Sequence, residues 1–211
     1  MKLVCFDCDS TLSGIEGIDE LARQRGPEAF AAVEAMTNDA MNGKIPIESI
    51  FARRLEIIQP TQASVAAVGQ RYLEEIEPDA KACVAELKAQ GWTPVIVSAG
   101  FVQAIQPLAD ALGISDIEAV PLIFDVNGAY RDFDRAYPTT RSGGKPVVVR
   151  RLKERFHPAR VAAVGDGVSD LETQSDVDLF VGFGRYVARP RVQTESAAFI
   201  TSLRALPGLL A

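Results

Sequence analysis

Short, fully apolar runs alternate with helix-like stretches along most of the chain. Leu3-Val4-Cys5-Phe6, Val95-Ile96-Val97 and Val161-Ala162-Ala163-Val164 are three such runs, and Leu179-Phe180-Val181 is a fourth. A run without polar alternation fits a strand buried on both faces, as in a parallel sheet. Amphipathic stretches near 101–112, 145–156 and 169–175 supply helices between and after them. This βαβ rhythm predicts an α/β fold with a Rossmann-like, doubly wound parallel sheet. Near 122–132, alternating residues flank Asn127-Gly128, the strongest short signal for a hairpin.

Residues 14–77 break the rhythm. They hold helix-like segments and no convincing strand, with Gly14 and Gly17 at one end and Pro78 following the other. The expected organisation is therefore a core of residues 1–13 and 78–211 with a helical insertion of residues 14–77. Within the insertion, Ile47, Ile50, Phe51, Leu55 and Ile58 form an apolar stripe at helical spacing. Arg54 falls inside that stripe and Arg53 well off it. A guanidinium on an inward face requires an anionic partner, because burying it unpaired is costly. An arginine snorkelling from the edge of the stripe fits the same spacing.

Composition narrows the chemistry. The chain has 211 residues, 47% hydrophobic and 24% charged, enough for a substantial core. A formal charge of -6 argues against a general nucleic-acid binder. One histidine, His157, and three scattered cysteines, Cys5, Cys8 and Cys83, are too few for a Cys/His zinc site. His157 precedes Pro158, away from the apolar strand ends, and reads as structural. Carboxylates and hard metals remain as tools. An odd, unclustered cysteine count suits a reducing compartment. Asp7 and Asp9 follow the first apolar run too closely for a signal peptide. The longest uncharged stretch, between Lys88 and Asp110, is interrupted by Pro94, Gln103, Gln106 and Pro107. The expectation is a cytoplasmic protein with no membrane span.

Three expected strands end in polar clusters. The first ends in Asp7-Cys8-Asp9-Ser10-Thr11. Carboxylates two residues apart on an extended chain project to one side, and so close a pair calls for a cation or a shared proton. The second ends in Ser98-Ala99-Gly100, where a hydroxyl and backbone N–H groups suit a phosphate oxygen; a serine N-cap gives the same pattern. The third ends in Gly165-Asp166-Gly167-Val168-Ser169-Asp170, whose oxygens suit magnesium. There Ser169 with Glu172 is sufficient for a capping box, and Asp170 for a favourable first-turn acid. Ser142-Gly143-Gly144-Lys145 adds a cation before a helix, without the spacing of a P-loop. Each cluster alone has a structural explanation; a metal-assisted phosphoryl-transfer site explains them jointly.

On these residues the chain resembles the haloacid dehalogenase superfamily of aspartyl-nucleophile phosphatases. The resemblance extends to its phosphoserine-specific branch through Glu16-Gly17-Ile18-Asp19-Glu20-Leu21-Ala22, Arg54-Leu55-Glu56-Ile57-Ile58-Gln59-Pro60, Ser142-Gly143-Gly144-Lys145, Phe156-His157, Gly165-Asp166-Gly167 and Gly182-Phe183-Gly184. It implies that the insertion is a cap over the core. It implies Asp7 as nucleophile and Asp9 as general acid and base. It implies magnesium on Asp7, Asp166 and the Asp9 backbone carbonyl, with Asp170 close by. Ser98, Ala99 and Lys145 would bind the phosphoryl group, and Glu16 and Arg54 the amino and carboxylate groups of the substrate. Ala99 stands where the pattern has a second glycine, Ser169 where asparagine or threonine is usual, and Ile47 where phenylalanine is frequent. The alternatives are a phosphatase or phosphotransferase for phosphohomoserine or another small phosphomonoester, and a catalytically silent magnesium- or ligand-binding module.

Overall fold

The computed structural model describes residues 1–211. In chain order the strands are β1 (Lys2–Phe6), β2 (Trp92–Phe101), β3 (Asp116–Val120), β4 (Leu122–Phe124), β5 (Tyr130–Phe133), β6 (Arg160–Gly165), β7 (Leu179–Phe183) and β8 (Ala198–Ile200). Six of them form one sheet in the order β3-β2-β1-β6-β7-β8, and β4 and β5 form a separate antiparallel hairpin. Every pairing in the large sheet is parallel.

The strands are apolar throughout because both faces are covered. In β1, Val4 and Phe6 point into the larger apolar core, while Leu3 and Cys5 point into a smaller one on the other face with Val148, Val149 and Leu152. The helices are α1 (Gly17–Arg23), α2 (Pro27–Met41), α3 (Phe51–Ile58), α4 (Gln62–Glu74), α5 (Ala80–Ala89), α6 (Val102–Leu112), α7 (Gly144–Phe156), α8 (Val168–Leu171), α9 (Pro190–Glu195) and α10 (Leu206–Leu210). None is long and apolar enough to cross a membrane. His157 is the exposed C-cap of α7, in the left-handed region at φ 44°.

The first four helices lie between β1 and β2 in the chain. The two strands of chain entering and leaving this segment run side by side: Gly14 N–H donates to Glu75 O (2.8 Å) and Glu77 N–H to Leu12 O (2.9 Å). The segment packs back on the sheet domain through α4 and α6. At its far side Glu48 accepts two hydrogen bonds from Ser142, from the N–H at 2.9 Å and the hydroxyl at 3.0 Å. All three cysteines are free and buried.

Several sequence expectations change. β3 and β8 were not foreseen. Both are edge strands, the first carrying partly exposed Asp116, Ile117 and Glu118 and the second only three residues long. The stripe from Ile47 to Ile58 is not one helix; a 3₁₀ turn, Ile47–Ser49, is followed by α3 starting at Phe51. Ser98 is no N-cap, because β2 continues past it to Phe101. Ser169 and Glu172 form no capping box: Gly167 caps α8, its N–H donating to Asp170 Oδ2 at 3.0 Å, and Glu172 accepts from Gly143 N–H at 2.8 Å.

Candidate active site

The chain order reverses direction between β1 and β6, so a crevice opens there at the carboxyl ends of the strands. Register makes the three polar clusters level. Phe6 pairs with Ile96 on one side and Val164 on the other, so Asp7, Ser98 and Asp166 all follow within one or two residues of the same line. Asp7 N–H still bonds to Val164 O at 2.9 Å, which ties the start of the loop to the sheet. Beyond it Ser10 takes a left-handed conformation (φ 51°) and turns the chain toward the helical segment.

The resulting cleft encloses an empty volume of about 460 Å³. Asp7, Asp9, Glu16, Arg54, Ser98, Ala99, Lys145 and Asp166 all line it. Asp170 is buried behind it. Its Oδ1 lies 2.6 Å from Lys145 Nζ, and Lys145 in turn lies 2.8 Å from Asp7 Oδ1. Asp170 thus fixes the lysine that reaches the site. Burial opposes the charge on Lys145, yet Asp170 and Asp7 hold its pKa above the ordinary lysine value. Ser98 Oγ accepts from Gly100 N–H at 2.9 Å. This bond folds the end of β2 around the cleft while leaving the hydroxyl hydrogen free to donate.

Asp9 is held from one side only. Its Oδ1 accepts from the Gly17 N–H at 2.8 Å and from the Tyr72 hydroxyl. Gly17 is required here, since a Cβ would stand 2.0 Å from the Tyr72 hydroxyl. Burial, with the nearby Asp7 carboxylate, pushes the Asp9 pKa up to about 7. A carboxyl group of that strength carries a proton for part of the time at neutral pH, as a general acid must.

Asp7, Asp166 and Asp170 are all buried, and one ligand oxygen from each lies within 4.8 Å of the others. Burial and Asp7 push Asp166 up to about 6 and Asp170 well above its ordinary range. Three crowded, buried carboxylates are an arrangement that a divalent cation relieves, and hard oxygen donors suit such an ion. The set therefore fits a divalent metal.

Arg54 is buried, 3% exposed, which rules out the snorkelling alternative. Glu16 accepts from Ser10 Oγ at 2.8 Å. Burial, then Asp9 and Asp166, raises its pKa well above the usual range, so a cationic group arriving beside it is favoured. Sequence reasoning missed Tyr72 and Arg189. Tyr72 lies on the apolar face of α4 with Val65 and Val68, and nothing in that spacing distinguishes it from core. Arg189, also 3% exposed, donates from Nε to Asp166 Oδ2 at 3.0 Å from a loop beyond β7.

Residues 1–175 match the haloacid dehalogenase-like hydrolase family. The bovine and human phosphoserine phosphatases are each 37% identical over 209 residues, covering 98% of this chain and 92% of theirs. A phosphoserine phosphohydrolase-like protein from Francisella tularensis superposes with a TM-score of 0.92 at 27% identity over 100% of both chains. A phospho-aspartyl intermediate analogue of phosphoserine phosphatase superposes with a TM-score of 0.86 at 26% identity, covering 99% of this chain and 98% of that one. The chain belongs to the haloacid dehalogenase-like hydrolases and is a phosphoric monoester hydrolase. Within them it belongs to the phosphoserine phosphatase family.

Proposed function

We propose that the chain hydrolyses L-phosphoserine to L-serine and inorganic phosphate, with magnesium as its metal. The observation that carries this reading is the meeting of two halves of one site. Asp7 and Ser98 from the strand ends and Lys145 from the start of α7 face Glu16 and Arg54 from the helical segment across a single cleft. The first group suits a phosphoryl dianion, the second an ammonium and a carboxylate. Residues 14–77 act as a cap that closes over the phosphoryl end.

In the first half-reaction an Asp7 carboxylate oxygen attacks phosphorus. The bond from phosphorus to the serine oxygen breaks, and Asp9 gives that oxygen its proton. Both Asp9 donors sit on Oδ1, which leaves Oδ2 to carry the proton beside Gly100. In the second half-reaction Asp9 takes a proton from water, which attacks the aspartyl-phosphate and releases phosphate. Ser98 Oγ–H, the Ala99 backbone and Lys145 hold the phosphoryl oxygens through both transfers. Asp7 and Asp166, with Asp170 adjoining, would hold the magnesium, which would supply positive charge to offset that of the phosphoryl group. Three free thiols suit a reducing compartment, and the location proposed is the cytoplasm.

Phosphate release from L-phosphoserine tests this reading. Asp7→Asn is expected to lose at least about 1,000-fold in kcat, because an amide cannot form the acyl phosphate. Retained turnover overturns the nucleophile assignment. An equal kcat/KM on phosphoserine, phosphothreonine and p-nitrophenyl phosphate overturns the amino-acid substrate and leaves a broad phosphatase.

A further inference from the structure

Arg54 is a buried cation that no carboxylate pairs with directly. Its one hydrogen bond runs from Nη1 to Thr37 Oγ1 at 3.2 Å, and its Nε is buried with no partner at all. Thr37 itself is 2% exposed and lines the cleft from α2. Its Oγ1 lies 2.7 Å from Asp19 Oδ1 on α1 and 3.0 Å from Val33 O one turn back on its own helix. Three helices of the cap therefore converge on a single oxygen.

The donor and acceptor inventory fixes how that oxygen is used. A hydroxyl has one hydrogen and two lone pairs. Val33 O only accepts and the Arg54 guanidinium only donates. The hydroxyl hydrogen goes to Asp19 or Val33, and a lone pair faces the arginine in either case. Asp19 thus supports the guanidinium through a neutral spacer and does not clamp it. A direct bidentate pair would occupy the edge of the guanidinium that a substrate carboxylate needs, and that carboxylate would have to displace Asp19 to bind. The spacer holds one corner of the fork and leaves other N–H groups uncommitted.

We propose that Thr37, backed by Asp19, is a positioning residue that sets Arg54 for carboxylate recognition and so confers preference for phosphomonoesters that carry a carboxylate. The inference rests on the reading of Arg54 as the carboxylate reader. It assigns no chemistry at phosphorus to Thr37.

The test compares L-phosphoserine with O-phosphoethanolamine, which lacks only the carboxylate. Thr37→Val keeps the shape and removes the hydroxyl. It is expected to raise KM for L-phosphoserine about tenfold with kcat within about threefold, and to change kcat/KM for O-phosphoethanolamine by less than about twofold. Thr37→Ser restores the hydroxyl and is expected to return phosphoserine KM to within about threefold of the native value. Asp19→Asn, which weakens the support from the other side, is expected to move in the same selective direction and carries the test if Thr37→Val does not fold. Equal losses on both substrates, or no loss on either, overturn the proposal. Arg54→Ala run in parallel separates the two levels. If it abolishes the preference while Thr37→Val and Asp19→Asn leave it intact, the relay alone is wrong. If Arg54→Ala also leaves the preference intact, the reading of Arg54 falls with it.

Discussion

Asp19 makes the energetics of single residues visible in the cap. Burial pushes its carboxyl from the ordinary value near 3.8 up to about 6, against the Thr37 hydrogen bond and the Arg54 charge, which pull it down. Glu34 and Glu20 push it further up. In the unfolded chain the proton leaves near 3.8; in the folded chain it stays until about 6. Between those values the folded state binds more protons, so the Asp19 contribution to stability is full at low pH and is lost as pH rises. Other groups titrate in the same window, and a difference measurement isolates this one. The stability of the native chain relative to Asp19→Asn, from urea midpoints, is expected to fall by up to about 3 kcal/mol between pH 4 and pH 6 and to be flat above pH 7. A constant difference would contradict a buried, perturbed Asp19. At this scale the candidate site was largely legible. Asp7, Asp9, Ser98 and Asp166 follow apolar runs that mark strand ends, and Lys145 follows the glycines that open α7. Thr37 and Tyr72 were not legible as site residues, because each sits at ordinary helical spacing and acquires its meaning from a partner on another helix.

Elements place these residues through backbone detail that periodicity does not carry. At the end of β6, a Cβ on Gly165 would stand 2.2 Å from Asp170 Cγ. The glycine lets α8 bring Asp170 back beneath the strand, where it holds Lys145 at 2.6 Å. Gly165→Ala is therefore expected to displace Asp170 and free Lys145. The outcome is a fall in kcat of at least about 100-fold, with a stability loss of about 1–3 kcal/mol. Steady-state kinetics and a thermal melt followed by circular dichroism measure both, and native kcat in a folded Gly165→Ala chain would show that Asp170 does not position the lysine. The four central strands and the hairpin were legible because burial on both faces, or the Asn127-Gly128 turn signal, leaves a plain pattern. β3 and β8 were not. An edge strand needs neither, and Asp116, Glu118 and a run of three residues carry too little signal. The break at Ile50 was equally hidden, because a 3₁₀ turn and an α-helix present nearly the same stripe over a few residues.

At the scale of the whole molecule, two bodies of very different construction share one cleft. The sheet supplies fixed strand ends at close register, while the four-helix segment brings Glu16, Thr37 and Arg54 to them from the other side. It is joined by one pair of adjacent strands at residues 12–14 and 75–77 and seated at its far side by the Glu48 contact with Ser142. Arg189 reaches Asp166 from a loop beyond β7, so the chain past that strand also contributes to the charge balance of the cleft. The insertion itself was visible in the sequence as a gap in the strand rhythm. How it is seated was not, since that depends on contacts between residues as far apart as Glu48 and Ser142.

The three cysteines give the molecule a built-in clock. Cys5 and Cys83 are 3% and 2% exposed, Cys8 is fully covered, and burial holds every thiol well above its ordinary pKa. The thiolate is the reacting form, so none of them reacts until the chain opens around it. Cys8 lies between Asp7 and Asp9 and Cys83 on α5 near the base of the cap, so each samples a different local opening. Pulse labelling with a thiol reagent is expected to find no fast-reacting site in the native protein and three in denaturant. A rapidly labelled Cys8 in native conditions would mean that the loop bearing Asp7 and Asp9 opens far more often than its packing implies. The order in which the three sites react then ranks the openings of the molecule, with no probe introduced by mutation.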